Sequence, residues 1–162
     1  MKALLVVVIV LVLVLIGLAT RIPRVRTASR TVQLSAPPAV VLAVAGDVEG
    51  QPTWRPGVAK VERVAPDTWV EADAAGRTTR FRRAEVAEPS RRRLTFEGDG
   101  FTGTFELEVE ARPGGSTVTV RESVTAASLP AAVLGALFAP LDALVEQWLA
   151  DVEREATRRR AG

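Results

Sequence analysis

Six runs of alternating residues, each closed by a turn signal, set what this chain can fold into. VAKVERVA (58–65), TWVEADA (68–74), RTTRFRRAEVA (77–87), RRLTFEG (92–98), FTGTFELEVEA (101–111) and STVTVRESVTA (116–126) follow one another. Between them stand Pro-Asp, Ala-Gly, Glu-Pro-Ser, Gly-Asp-Gly and Pro-Gly-Gly, all residues that favour tight reversals. In FTGTFELEVE the set Phe101, Gly103, Phe105, Leu107 and Val109 points one way, and Thr102, Thr104, Glu106 and Glu108 point the other. Such a series predicts an antiparallel meander with one covered face and one wet face.

The flanks supply the cover. SRTVQLSA (29–36) reads as a further strand, with Val32 and Leu34 on one side. APPAVVLAVAGDVEG (36–50) reads as a helix with Ser35 as its cap, Pro37 and Pro38 in the first turn and Gly46 at the exit. At the other end Leu134, Leu137, Phe138, Leu141, Leu144, Val145, Trp148, Leu149 and Val152 recur at helical spacing as one apolar stripe. Pro140 is expected to kink or split that helix, and Arg158, Arg159 and Arg160 suit its C-terminal dipole. A long helix laid across the concave face of a curved sheet covers that face without a second sheet.

Residues 3–20, ALLVVVIVLVLVLIGLAT, are of another kind: uncharged and almost wholly apolar. As a helix they measure about 27 Å, close to the thickness of bilayer hydrocarbon. A transmembrane anchor is expected over residues 1–21. The alternatives are a signal peptide cleaved near Gly17-Leu18-Ala19, or a buried core helix. Arg21, Arg24, Arg26 and Arg30 follow the segment and only Lys2 precedes it, so the positive-inside rule puts the rest of the chain on the cytoplasmic side of a single-pass inner or cytoplasmic membrane. A signal peptide would instead export it.

The chain contains no cysteine, histidine or tyrosine. That removes disulfides, Ser-His-Asp and Cys-His catalysis, and metal sites built on imidazole or thiolate. Chemistry would have to come from carboxylates, arginine, lysine, serine or threonine, and no cofactor is called for. With a net charge of +2, Glu85 and Glu88 interspersed and no repeated stacking platform, the cluster Arg80, Arg82, Arg83, Arg91, Arg92 and Arg93 does not make a nucleic-acid surface. It reads as a solvated, edge-protecting strand pair or as a surface for anionic headgroups. The Glu97–Gly100 turn offers two carboxylates, too few for a calcium loop.

The order of elements, together with VQLSAPPAVVLAVAGDVEGQPTWRPGVAKVERV, resembles the START-like SRPBCC superfamily, which includes polyketide cyclase/dehydrase-like and lipid-transport proteins. The matching pattern is a strand, an Ala36-Pro37-Pro38 helix opening, Asp47 at the helix exit, Pro52-x-Trp54, and a strand carrying Val58, Val61 and Val64. The resemblance implies an α+β helix-grip fold over residues 29–157: a seven-stranded antiparallel sheet wrapped around a long C-terminal helix and enclosing an apolar cavity. Residues 22–28 are then a linker and 158–162 a basic tail. Val41 and Leu42 stand where many relatives carry an aromatic, and Gln51 where an aromatic often precedes the proline.

On that frame the candidate ligand-binding residues are Trp54, Phe81, Phe96, Phe105, Val120, Glu122, Phe138 and Trp148. The inward face of the last strand carries Val118, Val120, Glu122 and Val124, so Glu122 either reaches solvent or an arginine where the strand bends, or anchors a ligand in a mostly apolar pocket. Trp69, Glu71 and Asp73 share a face that is expected to be the wet outer one; turned inward, they would place paired carboxylates in the cavity. Trp54, between Pro52 and Pro56, either plugs one end of the cavity or gates it. The same aromatic pattern serves a filled core and a hollow pocket. The function expected is membrane-anchored, non-catalytic binding of a hydrophobic small molecule or lipid. The alternative is a cyclase- or dehydratase-like enzyme using Glu122 first and Glu71 second.

Overall fold

A computed structural model describes residue 17 and residues 21–161; the apolar N-terminal segment, and with it the expected membrane span, otherwise lies outside the described residues. The elements run β1 (Val25–Leu34), α1 (Pro38–Gly46), α2 (Gln51–Trp54), β2 (Lys60–Ala65), β3 (Thr68–Ala72), β4 (Thr78–Ala84), β5 (Arg91–Gly98), β6 (Phe101–Arg112), β7 (Gly115–Ala126), α3 (Leu129–Phe138) and α4 (Leu141–Ala161). The strands form one antiparallel seven-stranded sheet in the order β1-β7-β6-β5-β4-β3-β2. The fold is the α+β helix grip. Among the described residues no single helix is long and apolar enough to cross a membrane.

The turns form where the sequence places flexible residues. Gly76, Gly100 and Gly114 adopt φ of 77°, 78° and 80°, a left-handed conformation that other residues resist. In α1, Pro38 opens the helix with its φ already set, but Ser35 does not cap it. The Ser35 hydroxyl and carbonyl accept instead from Arg160, 125 residues away. β1 begins at Val25, within the stretch read as linker, because its pairing with β7 runs from Val25↔Thr125 to Leu34↔Ser116. Likewise α4 continues to Ala161, since Arg158 and Arg159 both bond Glu155, and the expected basic tail is helix.

The long apolar stripe breaks at Pro140. Lacking an N–H, Pro140 cannot continue α3, and α4 sets off at 50° to it. Leu141, Val145, Leu149, Val152 and Ala156 therefore turn into the core, whereas Leu134, Leu137, Phe138 and Leu144 stay exposed. The core is the seam between α4, α1 and the β1-β7-β6 side of the sheet, where Val41, Val44, Val118, Val120, Val145 and Val152 have no exposed surface.

The arginine cluster is not at an edge: β4 and β5 lie inside the sheet, and β1 and β2 are the edges. Its members on the outer face meet acids on neighbouring strands, Arg93 with Glu106 at 2.8 Å and Arg91 with Glu108 at 2.6 Å. Such exposed cross-strand pairs contribute little each and keep the outer face wet.

Candidate functional site

On the concave face, away from the packed seam, the sheet and the two C-terminal helices leave a cavity of about 920 Å³. Its size is that of a small-molecule or lipid pocket rather than a packing defect. The floor is an aromatic path crossing four strands. Trp69 on β3 stacks on Phe81 of β4 with ring centroids 5.5 Å apart and planes within 10°. Phe81 meets Phe96 at 5.5 Å, and Phe96 meets Phe101 edge-on at 6.2 Å. Strand pairing fixes this path, because Trp69↔Phe81 and Phe81↔Phe96 are directly opposed. Opposite Phe96 stands Gly103, where a Cβ would come within 2.3 Å of the Phe96 ring. That glycine is the gap into which the ring folds. From the roof, Trp148 of α4 meets Phe105 edge-on at 4.9 Å.

Glu71, Asp99, Glu122 and Asp151 all line this space, and the two on the inner face of the sheet, Glu71 and Glu122, differ. Trp69 and Glu71 point inward, with only 2% and 7% of their surfaces exposed, contrary to the expected outer placement. The reason is a partner set that the strand alone does not show. The indole Nε1 of Trp69 donates to Glu71 Oε1 at 2.9 Å, and Arg55 Nη1 donates to Glu71 Oε2 at 3.0 Å. Arg55 also donates to Gln51 Oε1. Buried polar groups are tolerated when satisfied in this way. Asp73, third of that trio, is at the β3–β4 turn instead, accepting from the backbone N–H groups of Ala75 and Arg77.

Glu122 is the other case. β7 continues past it to Ala126 without a break, and its partners across the sheet are Ala28 and Phe105, neither able to bond it. Its carboxyl makes no side-chain hydrogen bond or ion pair with any described residue. Burial pushes it up to about 7, against a smaller downward pull from the Arg55 charge. An acid at that value exists in both protonation states near neutrality, able to donate to a ligand's carbonyl or hydroxyl, or to accept from one.

Of the eight residues singled out from sequence, Phe81, Phe96, Phe105, Glu122, Phe138 and Trp148 line the cavity. Phe138 does so from the mouth, with 78% of its surface exposed. Val120 and Trp54 do not line it: both are buried in the core, and the Trp54 carbonyl receives Arg154 Nη2 at 3.2 Å. Among the described residues the buried Trp54 indole N–H finds no acceptor. Sequence reasoning missed Arg55, Gln51 and Asp151, which lines the roof and accepts from Gln147 at 2.8 Å and Arg154 at 2.5 Å. In the sequence Gln51 stands out only as a departure from the family pattern. Arg55 carries no periodic signal that would single it out, whereas Asp151 stands at helical spacing with Leu144 and Trp148, and an acid on that apolar stripe was the signal available. Among the described residues no group of three acidic side chains converges as a metal site.

A family model described as polyketide cyclase / dehydrase and lipid transport matches residues 25–159. No curated protein matches the chain by sequence. Among solved structures, the chain is similar to the Zhui aromatase/cyclase from Streptomyces sp. R1128, at 18% identity and a TM-score of 0.68, over 83% of this chain and 95% of that one. It is similar to a START superfamily protein from Mycobacterium smegmatis at 14% identity and a TM-score of 0.60, over 82% and 97% of the two chains. A point mutant of norcoclaurine synthase from Thalictrum flavum matches at 10% identity and a TM-score of 0.66, over 84% and 96%. At these identities the likeness is one of fold.

Proposed function

The chain belongs to the polyketide cyclase / dehydrase and lipid transport family, and from that premise we propose that it is a membrane-anchored, non-catalytic binder of a hydrophobic small molecule or lipid. The observation that carries the reading is the cavity of about 920 Å³ with an aromatic floor and, on its wall, the Glu122 carboxyl, buried without a bonding partner among the described residues. A largely apolar space with a few polar groups binds a ligand that is mostly apolar with a polar end. Residues 3–20 provide the anchor, and the arginines that follow them set the domain on the cytoplasmic side.

The test is titration of the full-length protein in nanodiscs with a fluorescent fatty acid and with a fluorescent planar aromatic probe. Saturable uptake of either supports the reading, and Leu94→Trp, which adds bulk to the cavity wall, is expected to abolish it. No saturable uptake of either counts against it.

A second reading, a cyclase- or dehydratase-like enzyme, is favoured by one observation: the Glu122 carboxyl near 7 has the value a general acid or base needs. Glu71 does not share that role, since both its oxygens already accept hydrogen bonds from Trp69 and Arg55. Glu122→Gln separates the readings. Loss of turnover with uptake retained supports the enzyme, and a change in uptake alone supports the carrier.

A further inference from the structure

From Ser123 to Leu141 the chain has no charged residue, yet part of this stretch lies on the outside. Leu134, Leu137 and Phe138 of α3 are 56%, 67% and 78% exposed, and Leu144 at the start of α4 is exposed beside them. Leu134, Phe138 and Leu144 also line the cavity, so this apolar patch is the rim of its mouth. A contiguous exposed patch of large apolar side chains around an opening marks a surface that leaves water.

What covers it is indicated by where the chain enters. The Arg24 carbonyl accepts from Ala126 N–H at 2.8 Å, two residues before the Ser128 cap of α3. Arg26 Nη1 donates to the carbonyls of Gly135 and Ala139 at 3.0 and 3.1 Å, tying β1 to the far end of the same helix. Four residues of chain reach at most about 14 Å, so residues 3–20 join the fold within that distance of Arg24. Arg21 and Arg24 are both exposed at this edge, and the nearest acids on α4, Asp142 and Glu146, are already held by Arg30 at 2.9 and 3.0 Å.

We propose that the rim formed by Leu134, Leu137, Phe138 and Leu144, with Arg21 and Arg24 beside it, docks into the headgroup layer of an anionic bilayer, so that the cavity mouth opens onto lipid. Apolar faces of this kind bury a few ångströms into the boundary of headgroups and acyl chains, and flanking arginines meet anionic lipid. The inference rests on the anchored reading for the use of residues 3–20, but not on what the cavity binds.

The chain has no cysteine, so one introduced residue gives a unique label position. Full-length Leu137→Cys and, on the outer face of the sheet, Thr104→Cys are each labelled with an environment-sensitive dye and reconstituted in phosphatidylcholine/phosphatidylglycerol vesicles. The expected result is a blue-shifted emission at position 137, quenched several-fold more strongly by acyl-chain nitroxides than at position 104 and protected from iodide. Protein that floats with the vesicles but shows water-like emission at 137 overturns the docking and leaves the carrier and its anchor standing. Protection from both quenchers means that residues 3–20 or a second copy cover the patch, which also overturns it. Failure to float overturns docking and anchoring together, while uptake by the cavity is measured separately.

Discussion

At the scale of single residues the cavity is asymmetric in charge. Glu71 is satisfied and Glu122 is not, although both sit on the same concave face. The difference makes Glu122 a liability with a definite pH signature. Its folded value of about 7 lies above the 4.5 of the free side chain, so between those limits the unfolded chain binds fewer protons than the folded one. Stability therefore falls as pH rises through that window, by on the order of 3 kcal/mol if no ligand compensates. Glu122→Gln is expected to remove this fall; thermal unfolding of wild type and variant at pH 5 and pH 8 measures it, and identical slopes would contradict it. Arg55 has the opposite role. Arg55→Leu strips Glu71 of its ion-pair partner and is expected to cost about 3 kcal/mol, as loss of one member of a largely buried pair does. A denaturation midpoint unchanged from wild type would show the pair to be dispensable.

At the scale of elements, the weak place is α3. It is short, its sole buried residue is Ala132, and its C-terminal carbonyls are held by Arg26 rather than by a continuing helix. Orphan carbonyls at a helix end need such a donor. Arg26→Ala is expected to speed hydrogen exchange through residues 132–139 by about tenfold, the equivalent of one to two lost hydrogen bonds, with α4 unaffected. Uniform change across both helices would argue that α3 and α4 open together. The strands themselves were legible: alternation in 101–111 put Phe105, Leu107 and Val109 inward, and that is where they are. What alternation did not show was the direction of β3. A face carrying Trp69 and Glu71 looks wet until Arg55, from the segment just after α2, is brought against it. The kink at Pro140 was legible, but not that it would leave Leu137 and Phe138 outside, because helical spacing counts residues without regard to a 50° bend.

At the scale of the whole molecule, the grip is closed by charges on the last turns of α4. Arg159 pairs with Asp47 at the exit of α1 and, at 2.6 Å, with Glu155. Arg158 adds two bonds to Glu155 at 2.7 Å, and the carboxyl is lowered to about 2 mainly by Arg158. Because that value is depressed, the clamp is intact above the ordinary carboxylate range and is lost as pH falls toward 2. With α4 fixed at that end, the cavity runs from the exit of α1, where Gly46 and Val48 line it, to the α3–α4 corner. The hollow itself is the feature alternation cannot report, since Phe81 and Phe96 point inward in a solid core and in a lined pocket alike. Native mass spectrometry of the full-length protein released from mild detergent reads out whether this space holds an apolar ligand. One apolar molecule bound per chain is expected, retained in Thr104→Cys and missing in Leu94→Trp. Protein that flies without bound ligand, and that takes none up from added lipid extract, would contradict it.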